Sequence, residues 1–196
     1  MPKKHKDETD SELGAQLTAH EVLLAEAPGV EAMEKLFQRL DGILFCIKDR
    51  EGCYLSANDA FLRRARVENP CDLIGRTAKE FFPPLLAAGY EQQDAGVTLR
   101  GEETRDRLEM ITNSDGGVGW YLSDKIPIRN REGDVIGIAG VSRDLRSSAD
   151  NDPRYAKLAS VIEYMRTHYD EPLRIGQLVA QTDLSLSSFE RLMRSL

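Results

Sequence analysis

The side chains able to do chemistry are few and widely spaced. His5, His20 and His168, with Cys46, Cys53 and Cys71, are all the histidines and cysteines of the chain. His20-Glu21 would open a zinc-protease helix only if a second histidine followed one turn later, and Val22-Leu23-Leu24 follows instead. An odd number of cysteines without paired short spacing supplies neither a disulfide framework nor a zinc ribbon, so reduced structural thiols are expected. There is no Gly-x-Ser-x-Gly elbow and no phosphate loop closing on Gly-Lys-Ser or Gly-Lys-Thr. Gly116-Gly117-Val118-Gly119 lacks the spacing of a dinucleotide loop and reads as an ordinary loop. The carboxylate neighbours Glu102-Glu103, and Asp106 with Glu109, read as solvated faces of a chain that is 30% charged. No catalytic or metal-binding constellation forms, so a binding or signalling protein is expected rather than an enzyme.

The chain of 196 residues, 41% of them hydrophobic, can bury a sizeable core in one or two domains. Its net charge of -7 argues against a nucleic-acid binder, because no segment gathers the Lys and Arg that phosphate neutralisation needs. No stretch approaches the ~18 consecutive apolar residues of a membrane span. Met1 to Asp10 is charged, unlike a leader, and a cytoplasmic protein without a membrane partner is expected.

Glycine and proline divide the chain into elements. Leu17, Val22, Leu23 and Leu24 give a rough helical period that stops at Pro28-Gly29, and Met33, Leu36, Phe37 and Leu40 repeat it over Glu31–Leu40. The apolar run Ile43–Lys48, the turn Asp49-Arg50-Glu51-Gly52 and the extended Cys53–Ser56 form a hairpin. Helical period returns over Asn58–Arg66 and over Leu85–Arg100, the latter ended by Gly101. Three strands follow, Thr104–Thr112, Val118–Arg129 and Val135–Val141, separated by turns at Asn113–Gly117 and Asn130–Gly133. The two glycines of the last run, Val-Ile-Gly-Ile-Ala-Gly-Val, suggest a close backbone approach or a bulge.

Asp49-Arg50-Glu51-Gly52, Asn58-Asp59-Ala60-Phe61, Leu73-Ile74-Gly75-Arg76-Thr77, Trp120, and Ile126-Pro127-Ile128-Arg129 leading through Gly133 to Gly140-Val141-Ser142-Arg143-Asp144-Leu145 together resemble a PAS domain. The resemblance implies an α+β fold with a five-stranded antiparallel sheet and flanking helices on one face, over residues 31–146, after an N-terminal extension of residues 1–30. The usual closing Asp-Ile-Thr reads Asp144-Leu145-Arg146 here, which removes the threonine hydroxyl. PAS domains can hold haem, flavin or a small metabolite between sheet and helices. Every histidine lies outside residues 31–146, which argues against a histidine-ligated haem. Cys71 sits in Asn-Pro-Cys-Asp, not in the Asn-Cys-Arg-Phe-Leu-Gln-like segment of an adduct-forming flavin module. The cofactor is left open, and a small ligand or a protein partner remains. From the resemblance and strand alternation, Phe45, Ile47, Phe61, Phe82, Tyr90, Leu108, Met110 and Trp120 are expected to face the interior.

After the polar linker at residues 147–153, Leu158, Val161, Ile162, Met165 and Tyr169 form an amphipathic stripe. Ile175, Leu178 and Val179 mark a short second helix, and Ser185 is the expected N-cap of a third carrying Phe189, Leu192 and Met193. Two short helices joined by a tight turn have helix-turn-helix geometry. Leu173-Arg174-Ile175-Gly176-Gln177-Leu178-Val179-Ala180, then Ser185-Leu186-Ser187-Ser188-Phe189-Glu190-Arg191-Leu192-Met193, resembles the start of an AraC-type DNA-binding domain over residues 154–196. That family carries two such motifs, so a truncated domain is expected. By position the resemblance puts Ser187, Glu190 and Arg191 toward the groove and Arg194 near phosphate, with Arg191 able to read guanine bidentately. The expectation is a sequence-specific transcriptional regulator, a homodimer, in which the PAS domain senses a ligand or partner. DNA would bind the full-length protein and bind this chain weakly or not at all. The alternative is a PAS dimerisation module that binds a protein partner and not DNA.

Overall fold

A computed structural model describes residues 19–112, 118–145 and 153–193. Helix α1 (19–26) and helix α2 (Gly29–Phe37) precede β1 (Ile43–Lys48) and β2 (Tyr54–Ala57). Helix α3 (Asp59–Ala65), two 3-10 turns and helix α4 (Pro84–Arg100) form a helical excursion before β3 (Thr104–Thr112), β4 (Val118–Arg129) and β5 (Val135–Asp144). Helices α5 (Pro153–Thr167), α6 (Ile175–Val179) and α7 (Leu186–Met193) follow. The strands form one antiparallel sheet in the order β2-β1-β5-β4-β3, so the chain returns from the edge strand β3 to the centre.

Local chemistry explains the boundaries. Asp49 Oδ1 accepts from the amides of Glu51 and Cys53 at 3.0 and 2.8 Å, and Gly52 closes that turn at φ +87°, where a side chain would be strained. Asn130 repeats the device by accepting from the Asp134 amide at 2.8 Å. Asn58 is a joint for three elements. Its Oδ1 accepts from the amides of Phe61, capping α3, and of Phe45, while its Nδ2 donates to the carbonyls of Phe37 and Ile43.

Helices cover both faces of the sheet, not one. On the first face α3, the 3-10 turns and α4 pack Phe61, Leu73, Phe82 and Ala87 against Leu44, Tyr54 and Tyr121. On the other face α1 and α2 bring Leu23 and Val30 onto Phe45, Ile47 and Ala139. That face is shared with α5, whose Leu158 and Ile162 pack on Leu108, Leu122 and Leu145. Between the two helical covers Arg143 pairs with Asp106 and Asp124 at 2.7 and 3.1 Å. A Cβ on Gly137 would stand 2.7 Å from the Lys48 carbonyl and 2.9 Å from Leu23 Cδ1, so the missing side chain lets α1 approach the sheet.

The C-terminal helices share a small core of Val161, Leu178 and Phe189. Ser185 Oγ accepts from the Ser188 amide at 3.2 Å as the N-cap of α7. Lys157 pairs with Asp183 at 2.6 Å and ties α5 to the turn before α7. Tyr169 is 82% exposed and does not join the stripe, because α5 ends at Thr167. The turn at 113–117 and the linker at 147–152 fall outside the described residues, as does the start of the chain.

Candidate functional site

Between the sheet and α3–α4 lies a cavity of about 60 Å3. At ~10–15 Å3 of such space per water, it has room for a molecule equal to a few waters. Its apolar wall is a chain of rings, with Tyr54 on Phe61 at 5.2 Å, Phe61 on Phe82 at 6.2 Å and Phe82 on Tyr90 at 5.6 Å between centroids. The Tyr90 hydroxyl donates to the Met110 carbonyl at 2.7 Å, which fixes the last ring of the chain.

The polar wall is built from strand ends and α4. Lys48 ends β1, Lys125 stands in β4, and both ammonium groups donate to Asp94 of α4, at 2.5 Å to Oδ2 and 2.7 Å to Oδ1. Lys48 and Asp94 are each 5% exposed, so the pair is closed off from water. Burial by itself would raise the Asp94 carboxyl, but Lys125 and Lys48 overcome it and hold it below the ordinary carboxylate range. Burial works against the charged form of Lys48, and the surrounding oxygens outweigh it, so its ammonium is held above the usual value. Tyr54 is buried and its phenol is pushed up, hence neutral at pH 7, which leaves Asp94 as the charge that keeps Lys48 ionised. Lys48 also lies 4.6 Å from the Tyr54 ring centroid. Glu109 of β3 faces the same cavity at 6% exposure, and its Oε1 has no hydrogen-bond partner among the described residues. Gly140 of β5 forms the floor between Cys46 and Lys125. Burial pushes the Cys46 thiol up to about 11, so it is protonated and is no metal or nucleophile thiolate at neutral pH.

Of the residues expected inside, Phe61, Phe82 and Tyr90 line the cavity. Phe45 and Ile47 do not; they lie on the opposite face under α1 and α2. Leu108 and Trp120 likewise turn away and pack toward α5, and Met110 lines a groove along α4 at the sheet edge. The error is one of parity. In β1, β3 and β4 the cavity receives Leu44, Cys46 and Lys48, Glu109 and Ile111, and Lys125, each one residue out of step with the expected set. β1 is apolar on both faces because both carry helices, and in β3 the alternation Arg107-Leu108-Glu109-Met110 turns Leu108 to the cover opposite the cavity. Lys48, Asp94, Glu109 and Lys125 were missed because a charged side chain reads by default as solvated. Only Lys48 stood out, as the single charge of an otherwise apolar strand; Glu109 and Lys125 have charged neighbours in β3 and β4 and Asp94 lies on a helix. Glu102 and Glu103 do stand on the surface, paired with Arg100 and Arg105. Glu109, read beside them as solvated, is buried. His20 pairs with Glu34 at 2.8 Å and His168 stacks on Tyr164, so neither described histidine reaches the cavity.

A family model described as the PAS fold matches residues 37–150. The chain belongs to the PAS-fold family.

The PAS domain is similar to that of VqmA from Vibrio cholerae, solved as a dimer in the absence of target DNA in a study of LuxR-type receptors. The two are 29% identical over 61% of this chain and 52% of that one, with a TM-score of 0.52. A VqmA–ligand–DNA complex matches at 29% identity over 59% of this chain and 50% of that one, with a TM-score of 0.51. The PAS domain of Bordetella pertussis BvgS, 24% identical over 63% of this chain and 96% of that one with a TM-score of 0.51, shares the fold. The methanogenesis regulatory histidine kinase FilI of Methanothrix harundinacea is 29% identical over 99 residues, 50% of this chain and 11% of the kinase. The chain thus spans about half of VqmA and a small part of the kinase, and its PAS domain is of a kind found in regulatory signalling proteins. Among the described residues no helix is long and apolar enough to cross a membrane.

Outside the PAS domain, α6 and α7 meet at the short turn that the sequence suggested. Ser187 is exposed, with its Oγ 3.1 Å from Ser185 Oγ in the helix-start network. Glu190 is half-buried, Arg191 belongs to α7, and Arg194 lies outside the described residues.

Proposed function

We propose that the chain is the sensory part of a transcriptional regulator, in which occupancy of the PAS cavity controls an AraC-type DNA-binding domain that begins at α5. One observation carries the reading. Glu109 and Lys125 face the cavity, while their strand neighbours Leu108 and Leu122 hold Leu158 and Ile162 of α5 on the other side. Each of β3 and β4 is therefore read by both compartments, and a shift of either strand changes the seat of α5. Helix α7 also lies against β3. The ligand acts by population shift, favouring the arrangement that it binds better. Similarity to a PAS-containing DNA-binding regulator supports this role. In it Ser187, Glu190 and Arg191 would face the groove and Arg194 the phosphates, the protein would act as a cytoplasmic homodimer, and no catalytic step is involved.

Residues 147–196 carry no basic surplus, so specific DNA binding by these residues is weak. The test is selection from randomised duplex DNA by the protein carrying the whole C-terminal domain, beside Arg191→Ala. A sequence enriched by the parent and lost in the variant is the expected result. Equal enrichment by both, or none by either, refutes the reading. The same absence of basic surplus favours the second reading, a PAS module whose C-terminal helices serve self-association or a protein partner. Loss of self-association on deleting residues 154–196, with no DNA sequence enriched, selects it.

A further inference from the structure

The polar lining of the PAS cavity is incomplete. Lys48 and Lys125 each spend a donor on Asp94 and, as ammonium groups, carry three. Glu109 Oε1 is buried in the same wall with no hydrogen-bond partner among the described residues, a condition that costs free energy unless something in the cavity donates to it. The Tyr54, Phe61, Phe82 and Tyr90 rings line the same cavity, Tyr54 lying directly beneath the Lys48 ammonium. Gly140 leaves the floor open where a side chain would fit, since a Cβ there would meet Cys46 Sγ and Lys125 Cγ at 3.8 Å, ordinary contact distance.

We propose that this cavity binds a small, mainly apolar molecule bearing both an N–H or O–H donor, received by Glu109, and a carbonyl or carboxylate acceptor, received by Lys48 and Lys125. The inference rests on the sensory reading of the cavity and adds its chemistry. Size limits the ligand to a single small ring or a short branched chain, because the space of about 60 Å3 holds only a few waters' worth of atoms. Charge sets its character. Lys48 and Lys125 face Asp94 and Glu109, two ammonium groups against two carboxylates, so a guest of net charge is disfavoured and a neutral amide-like or zwitterionic molecule fits. A purely apolar guest is disfavoured too, since it would leave Glu109 without a donor.

The probes are δ-valerolactam and 2-pyridone, each with one N–H and one carbonyl on a small ring, against toluene of similar size. Binding is read by saturation-transfer NMR and by thermal shift on the whole chain. The lactam and the pyridone are expected to bind at least tenfold better than toluene. Glu109→Leu removes the orphaned acceptor while keeping the Asp94 bridge between Lys48 and Lys125. It should reverse the preference, losing the lactam at least tenfold and gaining toluene. Gly140→Ala keeps every polar group and should weaken lactam binding at least tenfold with little change in Tm. Should the leucine variant not fold, the near-isosteric Glu109→Gln takes its place, with several-fold weaker lactam binding expected. Toluene preferred by the parent protein, or lactam binding indifferent to Glu109 or to Gly140, overturns the assigned chemistry and leaves the sensory reading standing. A cavity that takes up none of the three probes in any variant holds water only, and that result overturns both.

Discussion

Replacing Asp94 by alanine removes the carboxylate that Lys48 and Lys125 share and leaves two ammonium groups facing each other in a nearly closed space. The side chains of Lys48, Asp94 and Lys125 are 7%, 7% and 11% exposed, so solvent screening offers little relief. Breaking a buried ion pair by deleting one partner costs about 3–5 kcal/mol, because the remaining charge is uncompensated. For a chain of this size that corresponds to a fall in Tm of roughly 10 °C or more. Asp94→Asn retains an acceptor oxygen and should lose less. The assay is urea unfolding followed by far-ultraviolet circular dichroism and by the fluorescence of Trp120, the only tryptophan. The pH dependence supplies an independent check of sign. The Asp94 carboxyl is held below its ordinary value in the folded protein, so its stabilisation is fully present above about pH 4 and is lost as pH falls through the folded value. The parent protein should lose stability steeply in acid, and both variants should show a shallower acid limb. A loss under about 1 kcal/mol for the alanine variant, or an unchanged acid limb, would refute the view that Asp94 holds the polar wall together.

Asn58→Ala strips the cap from α3 and leaves the buried Phe45 amide without its acceptor, for a cost of about 2–4 kcal/mol in denaturant unfolding; Asn58→Ser should recover about 1 kcal/mol through the cap. The hydrogen bond to Glu34 raises the His20 imidazole above its usual value, so the link from α1 to α2 is complete below about pH 6.5 and is lost as pH rises through the folded value. Intrinsically corrected hydrogen exchange over residues 19–37 should therefore quicken from pH 6 to 8, and His20→Gln should flatten that change. Leu158→Ala opens the contact of α5 with Leu108 and Leu122, costs about 2–4 kcal/mol of local stability, and should red-shift Trp120 emission while leaving the cavity intact. Unchanged emission would place the tryptophan outside the α5 seat.

Much of the fold was legible because its punctuation is chemical. Gly52, Gly101 and Gly133 stand at φ +87°, +66° and +92°, where glycine is nearly obligatory, and each ends an element where the sequence placed the break. β1, β3 and β4 run over the expected residues, while β5 extends three residues past Val141 to Asp144. The site was legible only on its helical side, at Phe61, Phe82 and Tyr90. Ile-Leu-Phe-Cys-Ile-Lys is apolar on both faces of β1, so nothing local says which face meets α4 and which meets α1. The link between Lys48 and Asp94 spans 46 positions, and a strand's own spacing carries no information about a helix that far along the chain. The C-terminal pair was found from its cap and its apolar stripe, and Tyr169 was misplaced because that period ran on past the helix end.

The sheet has two rims, and the chain occupies both. Along β2 the Tyr54 amide donates to the Arg76 carbonyl and the Gly75 amide donates to the Tyr54 carbonyl, so a loop already sits where a sixth strand would dock. Along β3 Asp106 turns into the left-handed region at φ +45°, the pairing slips between Thr104 and Arg107, and Tyr90 takes up the Met110 carbonyl. Each rim is thus interrupted at these points, which disfavours extension of the sheet by a strand of a second molecule. Edge-to-edge association is thereby disfavoured relative to association through the helices that cover the outer face.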